Sequence, residues 1–275
     1  MIVCVPSGIG DVSWMYSKLM HAPPMEWEIA DGWPHRTAPF LSLLPNVISA
    51  RYGEFNYSDI IAMQSARPPL ARWADVNGCA RLMLEANQHL EMGKPLVEWL
   101  PDLPVEFHYD IGTTDRDKER AESLLEGFRR PWWGVSAASY RGSEAWKTWG
   151  LEEWSEFLGK FHAEAEGTII LLGGFWDDLT SQLSELGYPD LVGRTSIGCA
   201  VEVLRSLDGY LGFSSGLGVL RTVLRKKVFM LWPEHQQLLS TSWAPPWMVE
   251  EGSYVAKQWD DPGRILPAAL KWAHE

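Results

Sequence analysis

The second half of the chain alternates short apolar runs with amphipathic stretches, and that rhythm restricts the fold more than any other feature. β-type runs stand at 132–138 (WWGVSAA), 167–174 (GTIILLGG), 208–213 (DGYLGF) and 226–233 (KKVFMLWP). Between the first two, LEEWSEFLGKFHAEA (151–165) sets Leu151, Trp154, Leu158 and Phe161 three and four apart, which gives a helix one apolar face. DDLTSQLSELG closes on Gly187, a helix stop, and GCAVEVLRSL and LGVLRTVLR supply two further short helices. Strands alternating with helices of this length predict a parallel sheet with crossover helices.

The first half repeats the theme less regularly. It predicts a strand over 1–6, a helix from about 12 to 20, strands at 47–50 and 58–63, and a helix over 79–91. KPLVEWLPDLP (94–104) reads as an extended loop packed by aromatics, DRDKERAESLLEGF (115–128) as a charged helix, and RRP (129–131) as a joint. The expected organisation is therefore two Rossmann-like α/β domains, 1–130 and 131–275, facing across a cleft where a ligand collects.

At 275 residues and 46% hydrophobic content the chain can bury a substantial core. Nothing in it approaches bilayer-crossing length, and Pro6, Gly8 and Asp11 interrupt any signal-peptide core at the start, so cytoplasmic residence is the expectation. Cys4, Cys79 and Cys199 form no CxxC pair and read as small buried hydrophobes rather than a disulfide framework or zinc cluster. A net charge of -12 disfavours a protein that coats nucleic acid, although a local basic groove around Arg67, Arg72 and Arg81 is compatible with it. Sixteen tryptophans are scattered from Trp14 to Trp272; most are expected in the core, with flat surfaces for stacking a nucleobase or sugar ring as the functional alternative.

Four stretches carry candidate chemistry. SGIGD (7–11) places Gly8, Gly10 and Asp11 between the first strand and its helix, where ligands of parallel α/β folds collect; Asp11 either caps the helix or does chemistry. Lys147 sits between two tryptophans ahead of the helix from 151, either meeting a diphosphate or standing in solvent. LLGGFWDD ends a strand on Gly174 and offers Asp177 and Asp178, as ribose acceptors or as caps. GFSSGLGVLRTVL turns through Ser214, Ser215, Gly216, Leu217 and Gly218 into a helix, and the amides of about Ser215 to Gly218 make an anion site by geometry. Asp115 and Asp117 formally match an Asp-x-Asp metal motif but open a charged helix, where acids are favoured. The histidines show no paired ligand spacing, and no metal is expected; His235 reads as exposed or as a donor contact.

In this order the stretches resemble the ADP-heptose lipopolysaccharide heptosyltransferases and their relatives in glycosyltransferase family 9. SGIGDVSWMYSKL is similar to that family's N-terminal Gly-Asp motif, SEAWKTWGLEEWSEFL to its Lys-x-Trp-Pro segment, and IILLGGFWDD to its strand with a downstream acid. LVGRTSIGCAVEVLRSLDGYLGFSSGLGVLRTVL is similar to its long C-terminal signature. The resemblance implies a GT-B fold and an inverting, metal-independent transfer of sugar from a nucleotide-diphosphate donor, a co-substrate rather than a bound cofactor. It implies Asp11 as general base on the acceptor hydroxyl, of a glycan or lipopolysaccharide-like molecule. By the same resemblance Lys147 holds the diphosphate, Asp177 the ribose, and Ser215 with Gly216 the phosphates through their amides.

Ser214 stands where the family has Asp, and Val219 where a His commonly follows. Those differences motivate a second class of reading, a catalytically silent GT-B protein that binds a nucleotide or glycan. Within the enzyme class, a phage-type glycosyltransferase acting on modified DNA bases and a nucleotide-sugar epimerase are the alternatives.

Overall fold

A computed structural model describes residues 2–30, 34–66, 81–138, 149–233, 244–258 and 260–275. Contacts divide the chain into two units, one running to Thr113 and the other beginning at Thr114.

In the first unit the order along the chain is β1 (Ile2–Val5), α1 (Ile9–Leu19), β2 (Met25–Ile29), α2 (Pro34–Leu41), β3 (Val47–Tyr52), α3 (Tyr57–Ala66), β4 (Arg81–Met83) and α4 (Asn87–Glu91). Val3, Cys4 and Val5 are completely buried, as expected of a strand covered on both faces. The sheet is parallel throughout, in the order β3-β2-β1-β4. The chain thus winds outward from β1 through β2 to β3, then crosses back to place β4 on the other side of β1. The carboxyl ends of β1 and β4 mark a topological switch point, the usual ligand position in such sheets.

Two expectations for this half are corrected. Residues 58–63 lie in α3 rather than a strand, because Asn56 and Asp59 cap each other reciprocally: the Asn56 amide donates to the Asp59 carboxylate at 2.8 Å, and the Asp59 amide donates to Asn56 Oδ1 at 3.1 Å. The helix expected over 79–91 is instead β4 followed by α4. Strand β2 and helix α2 had no counterpart in the sequence reading.

The second unit contains α5 (Asp115–Leu125), β5 (Trp132–Ser136), α6 (Leu151–Ala165), β6 (Thr168–Leu171), α7 (Asp178–Gln182), α8 (Ile197–Ser206), β7 (Gly209–Phe213), α9 (Gly216–Val223), β8 (Val228–Trp232), α10 (Pro246–Glu250), β9 (Tyr254–Gln258) and α11 (Pro262–His274). Its parallel sheet has the order β6-β5-β7-β8-β9, with the switch point between β5 and β7. The joint expected near 130 falls inside this unit, since α5 packs on α8 and Ser196 Oγ donates to Asp117 Oδ1 at 2.9 Å. Asp117 also completes a capping box with Thr114, so the acids of DRD start a helix.

The apolar face of α6 forms as its spacing predicts. Trp154, Phe157, Leu158 and Phe161 are buried against Trp133, Val135, Leu171, Phe213 and, from α11, Trp272. Trp149 meets Trp154 edge-on at 5.0 Å and Trp133 meets Trp272 tilted at 5.7 Å between centroids, while Phe157 and Phe161 stack at 6.0 Å. Truncating one such ring to alanine costs roughly 3–5 kcal/mol. Trp14, Trp27, Trp99 and Trp232 are likewise buried, so most described tryptophans serve the interior. Among the described residues no helix is long and apolar enough to cross a membrane.

Candidate functional site

In the first unit the turn Pro6–Gly8 passes over the switch point between β1 and β4. Gly8 is the N-cap of α1 in an extended conformation (φ -82°, ψ 133°), with no side-chain cap. Asp11 is therefore not the capping residue but lies in the first turn of the helix, partly exposed, where the positive end of the helix dipole favours a carboxylate. Its carboxylate folds back over the glycine: a Cβ on Gly8 would stand 2.0 Å from Asp11 Oδ2. Only glycine permits that approach at position 8. Gly10 falls between them in the same first turn, also partly exposed.

The turn is fastened from outside. The buried Thr37 hydroxyl on α2 donates to the Ser7 carbonyl. Farther along α1, the fully buried Lys18 donates to the carbonyls of Val97, Leu100 and Leu103 at 3.0, 3.1 and 2.9 Å. Burial lowers its pKa to about 8, but three converging carbonyl oxygens hold an ammonium in place, and the geometry favours the charged form. Lys18 thus ties the loop over 94–104 to the helix that carries Asp11.

In the second unit the turn after β7 reaches the switch point between β5 and β7. Ser215 is the N-cap of α9 and its hydroxyl accepts from the Gly218 amide at 3.5 Å. The Ser214 amide is already committed, donating to the Leu231 carbonyl on β8 at 3.0 Å. The amides of Gly216 and Leu217, the first two of the helix, have no intrahelical acceptor and bear its positive partial charge. Of the amides from Ser215 to Gly218, that of Gly218 is taken by the Ser215 hydroxyl, which leaves those of Gly216 and Leu217 as the helix-start donors. Gly218 is buried beneath them, packed toward Met230 and Tyr210.

A buried polar cluster lies behind this turn. Tyr210, on β7 and fully buried, places its hydroxyl 3.0 Å from Ser215 Oγ, with Ser136 as a second partner. Burial pushes the Tyr210 pKa up to about 12, against the lowering effect of those two hydroxyls. The Ala137 amide donates to Thr180 Oγ1 at 2.9 Å, and the Thr180 amide donates to Asp177 Oδ1 at 3.0 Å. Asp177 is the N-cap of α7 and only 3% exposed. Burial raises its carboxyl to about 6, more than the Thr180 hydrogen bonds lower it. Its side chain is turned in on the helix start, whereas Asp178, the next residue, begins the helix. Gly174 lies on the turn before them, partly exposed, and its carbonyl accepts from the Asp177 amide at 2.9 Å.

The site residues that the sequence singled out thus fall beyond strand carboxyl ends in both units: Gly8, Gly10 and Asp11 after β1 in one, and Gly174 and Asp177 after the edge strand β6 with Ser214 to Gly218 after β7 in the other. Lys147, His235, Arg67 and Arg72 lie outside the described residues, as does the Arg81 side chain. Thr37, Lys18, Thr180 and Tyr210 went unnoticed in sequence. Only Tyr210 left a signal there, a hydroxyl on an apolar strand five residues ahead of Ser215. Among the described residues no group of three or more His, Cys, Asp or Glu is placed to hold a metal ion.

No family model matches the chain, and no curated protein matches it by sequence. Solved structures do match by shape. ADP-heptose lipopolysaccharide heptosyltransferase II of E. coli superposes with a TM-score of 0.64 at 15% identity, over 99% of this chain and 98% of that one. A family 9 glycosyl transferase from Veillonella parvula gives 0.64 at 12% identity, over 99% and 96%. E. coli heptosyltransferase WaaC, solved with ADP, gives 0.56 at 14% identity, over 98% of both. The chain has the GT-B fold of these glycosyltransferases along nearly its whole length.

Proposed function

We propose that the chain is an inverting, metal-independent glycosyltransferase that moves a sugar from a nucleotide-diphosphate donor to a hydroxyl of a glycan or lipopolysaccharide-like acceptor. The observation that carries the reading is the α9 turn: two amides without intrahelical acceptors at the switch point of a parallel sheet, in a chain with the GT-B fold. Such amides stabilise charge that builds on phosphate oxygens as the sugar departs. Lys147, ahead of α6 in sequence, is assigned to the same charge.

In the reaction the acceptor oxygen forms a bond to the anomeric carbon while the bond from that carbon to the phosphate oxygen breaks. The nucleoside diphosphate leaves with the electron pair, and the acceptor proton passes to the Asp11 carboxylate. One in-line displacement inverts the anomeric centre. Asp177, buried as the cap of α7, holds Thr180, whose hydroxyl takes the Ala137 amide after β5, so in this scheme it braces the strand ends more directly than it binds ribose.

Asp11→Asn tests the assignment. Removing a general base costs about 10²–10⁴-fold in rate, so transfer from the donor should fall by that factor, while thermal stabilisation by ADP-, UDP- or GDP-sugars should match wild type. Full activity in Asp11→Asn removes its role as base. Absence of stabilisation of the wild type by every nucleotide contradicts the whole reading.

A further inference from the structure

A chain of buried hydroxyls runs from the end of β5 to the start of α9, with Tyr210 at its centre. Tyr210 is fully buried on β7, and its hydroxyl lies 3.0 Å from Ser215 Oγ, with Ser136 as the other partner. Ser136, the last residue of β5, is buried and donates its own proton to the Ala138 carbonyl at 3.2 Å. Ser215 ends the chain at the surface, partly exposed, and its Oγ accepts from the Gly218 amide.

Each hydroxyl carries a single proton, and that sets the direction of the chain. Ser136 spends its proton on the Ala138 carbonyl, so toward Tyr210 it is an acceptor. The phenol keeps its proton at neutral pH, since burial pushes its pKa up to about 12, and it donates that proton to Ser136. Its oxygen is then the acceptor for Ser215, which donates inward. The Ser215 hydroxyl therefore has no proton left for an anion bound outside the turn.

The bond lengths rank the two anchors of Ser215. The cap bond from the Gly218 amide, at 3.5 Å, stands at the limit of hydrogen bonding, whereas the 3.0 Å contact with Tyr210 is of ordinary length. The Tyr210 ring is wedged under α9, where a Cβ on Gly218 would stand 3.3 Å from Tyr210 Cε1. Strands β5 and β7 lie in register beside it, Gly134 pairing with Tyr210 and Ser136 with Gly212. We propose that Tyr210 is a positioning residue of the donor site: its hydroxyl turns the Ser215 hydroxyl inward and anchors the α9 turn, so that the diphosphate is met by the Gly216 and Leu217 amides and not by the Ser215 side chain. The proposal rests on the donor reading above and deepens it.

Calorimetric titrations of inorganic pyrophosphate and ADP into wild type, Tyr210→Phe, Ser215→Ala and the double variant test it. Tyr210→Phe should weaken pyrophosphate and ADP by the same factor, about five-fold, as the loss of one hydrogen bond implies. Ser215→Ala should lose a similar factor, and the double variant should bind no more weakly than Ser215→Ala, because Tyr210 acts through Ser215. Losses that multiply in the double variant, or wild-type affinity in Tyr210→Phe, overturn the positioning role while leaving the donor reading intact. Should Tyr210→Phe fail to fold, Ser136→Ala carries the test. With its acceptor removed the phenol donates to Ser215, whose proton turns outward, and pyrophosphate should bind more tightly than to wild type; equal or weaker binding overturns the role. Wild type that binds neither pyrophosphate nor any of ADP, UDP and GDP overturns the donor reading as well.

Discussion

At Asp11 the same geometry serves the fold and the proposed chemistry. The carboxylate sits in the first turn of α1, folded over Gly8, so it offsets the partial charge of the helix start. The motif was readable because Gly-x-Gly-Asp after an apolar run is a local signal. Lys18, seven residues on, was not readable, since its carbonyl partners lie 79, 82 and 85 residues away in a stretch without periodicity. Lys18→Met keeps the apolar stem but leaves three buried carbonyls without a donor. Chemical denaturation should show a loss of about 3 kcal/mol, and a loss below about 1 kcal/mol would mean that water replaces the ammonium.

At the scale of elements, caps decided what apolar patterning left ambiguous. DIIAM looks like a strand by composition, and the Asn56–Asp59 pair makes it a helix. Strand β2 was obscured for the opposite reason: MEWEI carries two acids, and Glu28 is tolerated in the interior because Arg51 on β3 meets it at 2.8 Å and Cys4 donates to it at 3.7 Å. The cap of α7 gives a pH-dependent prediction. With its pKa raised from 3.8 to about 6, folded Asp177 holds a proton that the unfolded chain has released between those values. The folded state therefore binds more protons in that window, and this group's contribution to stability falls as pH rises from about 4 to about 6. Asp177→Asn keeps a capping oxygen without the titration. Relative to wild type, the variant should gain roughly 2–3 kcal/mol between pH 4 and pH 7 in urea denaturation; a constant difference across that range would show that the carboxyl does not titrate there.

Over the whole molecule, each parallel sheet places its candidate residues beyond the carboxyl ends of its strands, and the strand order that produces this was only half legible. The second unit's first four strands and the helices between them follow the sequence rhythm closely, because long apolar helices such as α6 announce their faces. β9 and α11 were missed: Lys257 and Gln258 dilute the strand pattern, and Pro267 interrupts the helix in sequence while the structure continues through it. Arg221 shows how the second unit is knit behind the turn that opens α9. Its buried guanidinium donates to the Leu204, Leu207 and Lys227 carbonyls, fixing α9 to the end of α8 and the start of β8. The turn at the start of α9 is therefore held rigidly, the condition under which amides act as a preorganised anion site.

The central claim, that the donor's diphosphate rests on the first amides of α9, is tested most directly by titrating ADP into wild type and Gly216→Pro. Proline suits the first position of a helix, and the extended conformation of Ser215 (φ -144°, ψ 165°) is one that a residue before proline adopts readily. The substitution thus removes one N–H while circular dichroism and melting temperature should stay as in wild type. The account predicts ADP affinity at least ten-fold weaker in Gly216→Pro, the loss of one hydrogen bond to a charged group. Equal affinity in the two proteins would contradict it.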